Sequence, residues 1–275
     1  MSATPFYDEE ESEFYGMCVE DLIRRRQRSH GSAFGMVELG VGTAKTICGV
    51  LRRVGASIHV HGFEIDESSF RSARSNIRDH ALEDRYRLTH GDFFEAMADL
   101  PARGCLISNP PYLPSPDPQI RLPHLWGGEH GDHISRRAIA LGFPHVLLML
   151  SSFANPLGLL RWARAHDYSL VHWVARPIEF GDYSSEPKVR RHIDELAAAG
   201  RSFVTEDSYL LVGATWSKEG PSADRSAELA RLIRGHSVPR HSGSAPSARL
   251  TREGISAAVI SDRRQDSPMV ATDSE

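Results

Sequence analysis

The sequence predicts an α/β fold: a parallel sheet covered by helices on both faces. Three observations carry this. Short apolar runs alternate with segments whose apolar residues recur at helical spacing, from about residue 33 to residue 216. The run "HVLLMLSSF" (145–153) is apolar throughout, as a strand buried on both faces must be. The first strand runs directly into the glycine-rich "GVGTA", which opens a helix, the local order of a doubly wound fold that holds a ligand beyond its strand ends.

The elements follow in order. "FYGMCVEDLIRRRQRS" (14–29) has helical apolar spacing, with basic residues in its last turns, where they complement the helix dipole. "AFGMVEL" (33–39) is the first strand and "KTICGVLRRV" (45–54) the helix after the turn. "SIHVHGFEI" (57–65) alternates as a strand, and Asp66 caps the helix "DESSFRSARSNIRDHA" (66–81). "RYRLTHG" (85–91) and "CLISN" (105–109) are the third and fourth strands, and a long loop runs from Pro110 to about Gly131. "DHISRRAIALGF" (132–143) is helical and is followed by the apolar strand 145–153. In "NPLGLLRWARAHD" (155–167) Asn caps the helix and Pro fills its first position. "YSLVHWVAR" (168–176) is a strand, "SEPKVRRHIDELAAAG" (185–200) a helix closed by Gly200, and "DSYLLVGATW" (207–216) the last strand.

The folded part is therefore expected to span 14–216. Residues 1–13 are polar and acidic and are expected to be disordered, and so, largely, is 217–275, rich in Ser, Arg, Pro and His, with one short helix at 222–235. With 275 residues and 40% hydrophobic residues, the chain is long enough for a full core. A formal net charge of -4 argues against a general polyanion binder. Cys18, Cys48 and Cys105 show no CxxC spacing and read as reduced thiols of a cytoplasmic protein. The N-terminus has no apolar signal region, and no apolar run approaches the ~20 residues of a membrane span, so no membrane is expected.

Three strand ends carry the ligand chemistry. In "VELGVGTA", Glu38, Gly40, Gly42 and Ala44 leave the first strand, and the glycines let a ligand approach the backbone. In "GFEID", Glu64 ends the second strand, where a carboxylate can accept from ribose hydroxyls. In "HGDFF", Asp92 can accept from an adenine amino group and Phe93 can flank the ring. There is no GxxxxGK[ST] phosphate loop, and the third glycine of a GxGxxG turn is missing.

The fourth strand ends in "LISNPPYLP", Leu106 to Pro114. Proline cannot donate to a sheet, so the strand stops there. The stretch reads either as a rigid turn or as a grip on a planar amide or amine. Its place at the strand end, after a cofactor-type first strand, favours the second reading.

Together these stretches resemble the class I S-adenosylmethionine-dependent methyltransferases, a Rossmann-like family. The resemblance implies a seven-stranded sheet with the last strand antiparallel and S-adenosyl-L-methionine as cofactor. Carried over, Gly40 and Gly42 lie under the methionine part, Glu38 near its end, Glu64 on the ribose, and Asp92 and Phe93 at the adenine. Ala44 departs from the usual third glycine.

"SNPPY" narrows the likeness to the amino-methylating branch, and "HLWGGEHGDHISRRAI" (124–139) resembles the segment after this motif in HemK-like protein-glutamine N5 methyltransferases. The likeness implies that the Asn109 side-chain oxygen and the Pro110 carbonyl accept the two N–H bonds of the target, that Tyr112 packs against its plane, and that Asn109 also borders the cofactor. A helical insertion at about 177–206, before the last strand, departs from the shorter members and could help form the substrate cleft.

The expected partner is a protein presenting a glutamine, as in a release-factor-like target. Two acceptors fit an adenine amino group equally, so an N6-adenine DNA or RNA methyltransferase is the first alternative, less favoured by the acidic balance. A small-molecule N-methyltransferase using the inserted helix as a lid is the second, and a non-catalytic binding protein keeping the fold is the third. His124, His130 and His133 near Glu129 and Asp132 match no metal-ligand spacing and read as a polar loop, so no metal is expected.

Overall fold

The computed structural model describes residues 8–30, 34–55, 58–98, 101–219 and 223–237. In chain order its elements are α1 (Glu9–His30), β1 (Phe34–Leu39), α2 (Lys45–Val54), β2 (Ile58–Glu64), α3 (Glu67–Asp79), β3 (Tyr86–His90), α4 (Phe93–Met97), β4 (Cys105–Ser108), α5 (His133–Ala140), β5 (His145–Ser151), α6 (Pro156–Ala165), β6 (Ser169–Glu179), α7 (Pro187–Ala198), β7 (Ser208–Ser217) and α8 (Ser226–His236).

The seven strands form one sheet in the order β3-β2-β1-β4-β5-β7-β6. The pairs β1–β2, β1–β4, β2–β3 and β4–β5 are parallel, and β7 runs antiparallel to both β5 and β6. This is the seven-stranded, Rossmann-like arrangement that the resemblance implied, with the expected helix α7 before the last strand. The order reverses between β1 and β4, and in open α/β sheets a ligand binds at the carboxyl ends of the strands at such a switch point.

Side chains alternate between the two faces along each strand. On β5, Leu147 and Met149 join a core built with α1, α2, α3 and α7, while Val146, Leu148 and Leu150 join a second core built with α4, α5, α6 and α8. Each such side chain contributes about 1.5–3 kcal/mol by burial. Gly213 of β7 is required by the first core, because a Cβ there would lie 2.3 Å from the Cys18 sulfur of α1.

Three boundaries differ from the sequence reading. Helix α1 begins at Glu9, so residues 9–13, expected to be disordered, form its first turn, and Glu11 is buried. Beyond Trp216, β7 reaches Ser217, and α8 buries Leu229 and Ile233 against the second core. Residues 1–7, 220–222 and 238–275 of the expected disordered segments lie outside the described residues. Strand β6 also runs past its expected end through Pro177 to Glu179; it is an edge strand, where proline is tolerated. Among the described residues no helix is long and apolar enough to cross a membrane.

Candidate active site

Strands β1 and β4 end side by side, and the Ser108 hydroxyl donates to the Leu39 carbonyl at 2.7 Å. The next residues, Gly40 and Asn109, therefore leave the sheet together at the switch point. Both line one cavity of about 510 Å³, within the size range of small-molecule sites.

The floor is the glycine-rich turn. Gly40 and Gly42 have φ of 72° and 56°, in the left-handed region that glycine adopts without strain, and nothing lies within 4 Å of a Cβ at either. Their backbone therefore faces open space. Ala44 stands at φ 59°, and its carbonyl accepts the first bond of α2 from Cys48. The left-handed backbone explains why a third glycine would be at home here.

The turn is fixed by Glu64 at the end of β2. Its Oε2 accepts from the Gly42 amide at 2.7 Å and its Oε1 from the Asp66 amide at 2.8 Å. Each oxygen keeps a second lone pair for a hydroxyl donor. Burial pushes this carboxyl up from its ordinary range, and the hydrogen bonds from Asp66 and Gly42 oppose that shift. Ile65 follows at 67% exposure, an apolar side chain on the cavity wall.

Asp92 caps α4, its Oδ1 accepting from the amides of Phe94 at 2.7 Å and Glu95 at 3.1 Å. Phe93 reaches the cavity from the second core. Its ring is 3% exposed and packs edge-on against Phe63 in the second core. The half-buried Phe94 beside it also lines the cavity and carries the Arg137 guanidinium 3.7 Å from its ring centre. A helix begins at Phe93, so neighbours one residue apart point in different directions.

Glu38 borders the cavity but is 1% exposed, and its carboxyl accepts from the Tyr15 hydroxyl at 3.1 Å and from the Tyr86 hydroxyl. Burial pushes this carboxyl up to about 8. In this structure Glu38 ties α1 and β3 to the floor of the site.

The opposite wall is the Asn109–Tyr112 turn. Asn109 Oδ1 is shut off from solvent and has no hydrogen-bond partner among the described residues. A buried acceptor without a partner costs about 1–3 kcal/mol, so it is a group waiting for a donor. Pro110 is buried beside it.

Tyr112 is held at both its ring and its hydroxyl. It lines the cavity, but its ring packs edge-on against Phe153, 5.8 Å between centres, and its hydroxyl donates to Glu11. Glu11 is 4% exposed and also accepts from Tyr209 and, at 3.0 Å, from Tyr183, whose proton is shared with Asp8 at the same distance. Burial raises the Glu11 carboxyl, and the hydrogen bonds from Tyr112 and Tyr209 work against that.

The "WGGEHG" stretch braces the turn from behind. Leu113 pairs with Trp126, its amide donating to the Leu125 carbonyl at 3.0 Å and its carbonyl accepting from Gly127 at 2.9 Å. A Cβ on Gly127 would lie 2.6 Å from the Tyr112 Cα, and one on Gly131 would lie 2.5 Å from the Tyr112 carbonyl oxygen. The two motifs thus pack backbone on backbone, which only glycine allows.

The insertion before β7 holds the intervening loop. The Arg121 amide donates to Glu186 at 2.9 Å, Lys188 pairs with Asp117, and a His192 ring nitrogen lies 2.7 Å from the Glu129 carbonyl. His130 lies against Arg201, and among the described residues no group of three or more His, Cys, Asp or Glu side chains is placed to hold a metal.

The structure therefore brings Glu38, Gly40, Gly42, Glu64, Asp92, Phe93, Asn109, Pro110 and Tyr112 to one cavity. Sequence reasoning missed Glu11, Tyr15, Ile65, Phe94, Arg137 and Tyr183, which line the same cavity. The spacing of Glu11 and Tyr15, four apart on α1, was the available signal.

No protein-family model matches the chain. Over 118 residues it is 27% identical to the ribosomal protein uL3 glutamine methyltransferase of Neisseria meningitidis serogroup B (strain ATCC BAA-335 / MC58), covering 41% of this chain and 36% of that protein. The protein of the same name from Neisseria gonorrhoeae (strain ATCC 700825 / FA 1090) is 27% identical over 118 residues, 41% of this chain and 37% of its own length. The match thus spans little more than a third of these curated relatives. Among solved structures, the N-terminal domain of human METTL16 in complex with SAH is similar at a TM-score of 0.48 and 14% identity, covering 78% of this chain and 74% of that one. The human methyltransferase 10 domain containing protein is similar at 0.46 and 16%, covering 78% and 84%.

Proposed function

We propose that the chain is an S-adenosyl-L-methionine-dependent N-methyltransferase whose target is the side-chain amide of a glutamine in a protein. The observation that carries the reading is Asn109, which lines the cavity whose floor is the open Gly40–Gly42 turn and whose buried Oδ1 has no hydrogen-bond partner among the described residues.

The residues fit the cofactor. The open glycine backbone leaves room for its methionine part, Glu64 has lone pairs for its ribose hydroxyls, and Ile65 and Phe94 offer apolar surface to its base, with Asp92 at the same strand end. When bound, the cofactor supplies an electrophilic methyl group on a sulfonium. The chain's part is then to place a nitrogen in line with it.

An amide nitrogen is a poor nucleophile because its lone pair is delocalised. Asn109 Oδ1 and the Pro110 carbonyl accept its two N–H bonds, fix its plane and support the positive charge that grows on it. Orientation of this kind can lower a barrier by about 7–11 kcal/mol at best. The nitrogen bonds to the methyl carbon, the carbon–sulfur bond breaks with its electron pair going to sulfur, and one N–H proton is lost to water. Two oxygens suffice for this, and no strong base is required. The 27% identity over 118 residues to a uL3 glutamine methyltransferase and the net charge of -4 support glutamine over an adenine amino group.

Incubation with methyl-labelled S-adenosylmethionine and cell extract, followed by protease or nuclease, tests the reading. Label released by protease and recovered as N5-methylglutamine is the expected result. Label released by nuclease would transfer the assignment to adenine.

A further inference from the structure

The reading above leaves the buried Glu11 cluster without a task. We propose that Glu11 is a positioning residue for the transfer step, acting on the Asn109–Tyr112 turn through the Tyr112 hydroxyl. This rests on the proposal that the turn grips the methyl acceptor.

The cluster joins four parts of the chain. Glu11 comes from the first turn of α1, Tyr112 from the turn after β4, Tyr183 from the loop after β6, and Tyr209 from β7. The Glu11 carboxyl oxygens accept from the Tyr112 and Tyr209 hydroxyls and share the Tyr183 hydroxyl with Asp8. Attachment of α1 does not need this carboxyl. Phe14, Val19 and Ile23 of that helix are all 0% exposed, and Tyr15 and Asp21 tie it to Glu38 and His172, so the helix is docked without Glu11. Burying a carboxylate is costly, and well-packed apolar residues are often as stable in its place. Nor does the Tyr112 ring need it, since Phe153 already packs against that ring.

What the carboxylate adds is direction. The hydroxyl sits at the tip of the ring's long axis, so its hydrogen bond to Glu11 fixes where that tip lies and hence the direction in which the side chain leaves the turn. The backbone of Tyr112 is locked in turn by Gly127 and Gly131, which leave it no room to move away. A turn held at its ring tip and at its backbone presents the adjoining Asn109 and Pro110 oxygens at one angle. Glu11 also lines the cavity with Tyr183, so the insertion loop and the first turn of α1 meet beside the acceptor turn.

The test uses the full chain and three readouts: affinity for S-adenosylmethionine by calorimetry, Tm, and single-turnover transfer of labelled methyl to the extract protein labelled by the wild type. For Glu11→Ala we expect cofactor affinity within about threefold of wild type and transfer slowed by roughly 30-fold or more, the loss from misplacing an acceptor pair. Tyr112→Phe, which removes one hydroxyl and keeps the ring, should slow transfer in the same direction and, combined with Glu11→Ala, add little further loss. Val19→Ala destabilises α1 away from the cavity and serves as the control. It should lower Tm while leaving transfer near the wild-type rate at a temperature where all variants are folded.

If transfer loss merely follows Tm across Glu11→Ala, Tyr112→Phe and Val19→Ala, Glu11 is structural and the inference is wrong. Should Glu11→Ala fail to fold, Tyr112→Phe decides alone: transfer within threefold of wild type overturns the inference. A wild type that binds no S-adenosylmethionine, or transfers no label, overturns the proposed function itself, and this inference with it.

Discussion

The Gly42 amide donates to Glu64 Oε2 at 2.7 Å, tying the end of β2 to the middle of the glycine-rich turn. One carboxylate thus shapes the floor of the cavity and remains able to accept from a ligand. Glu64→Gln places an NH2 group against one of two backbone N–H groups. A lost hydrogen bond to a charged group is worth about 1.5–3 kcal/mol, so affinity for S-adenosylmethionine should fall roughly 10- to 100-fold. Calorimetric titration measures this, and an unchanged affinity would remove Glu64 from the cofactor site.

Adjacent phenylalanines should separate stability from binding. Phe93 is fully packed in the second core, so Phe93→Ala should cost about 3–5 kcal/mol and show as a large fall in Tm. Phe94→Ala should leave Tm within a few degrees and weaken S-adenosylmethionine binding about tenfold, because that half-buried ring faces the cavity beneath Arg137. The opposite pattern in paired melting and titration experiments would restore Phe93 as the ligand contact.

The brace behind the acceptor turn admits no side chain. Gly131→Ala meets the Tyr112 carbonyl oxygen at 2.5 Å and the Ala154 Cβ at 2.7 Å, at a φ of 78° that alanine adopts only with strain. It should destabilise the fold by more than ~2 kcal/mol. Gly127→Ala, 2.6 Å from the Tyr112 Cα, should do the same. Denaturant unfolding checks both, and an unshifted midpoint would mean that the turn yields easily.

The Glu38 carboxyl carries a pH dependence of known sign. Burial raises it from an ordinary 4.5 to about 8, so the folded chain holds this proton where the unfolded chain has lost it. Its contribution to stability is full below the unfolded value, declines as pH rises above that value, and is gone once pH passes the folded value near 8. Glu38→Gln cannot ionise, so its Tm deficit relative to wild type should shrink between pH 5 and pH 8. A deficit constant across that range in thermal melts would contradict a protonated Glu38.

The parts of the molecule legible in the sequence are those whose signal is local. Gly40 and Gly42 announce a turn, Asp66 a helix cap, and Asn109 to Tyr112 a strand end, and each occupies that place. The choice between Phe93 and Phe94 was not legible, because it depends on where α4 begins, and that helix is five residues long. Glu11 was hidden for a different reason. An acidic, proline-containing N-terminus reads as solvated, and what makes a buried carboxylate tolerable here is a set of tyrosines 101, 172 and 198 residues away. Asn155 shows the same limit: it precedes α6 as expected, but its side chain caps nothing and donates instead to Asp132 at 2.8 Å.

The most direct test of the central claim is Asn109→Ala, with cofactor affinity and labelled methyl transfer measured on the same preparation. Removing an acceptor that serves the target nitrogen should leave the S-adenosylmethionine Kd within about threefold of wild type and cut transfer roughly 100-fold or more. Transfer that persists near the wild-type rate, or a cofactor affinity that collapses with it, would contradict the account.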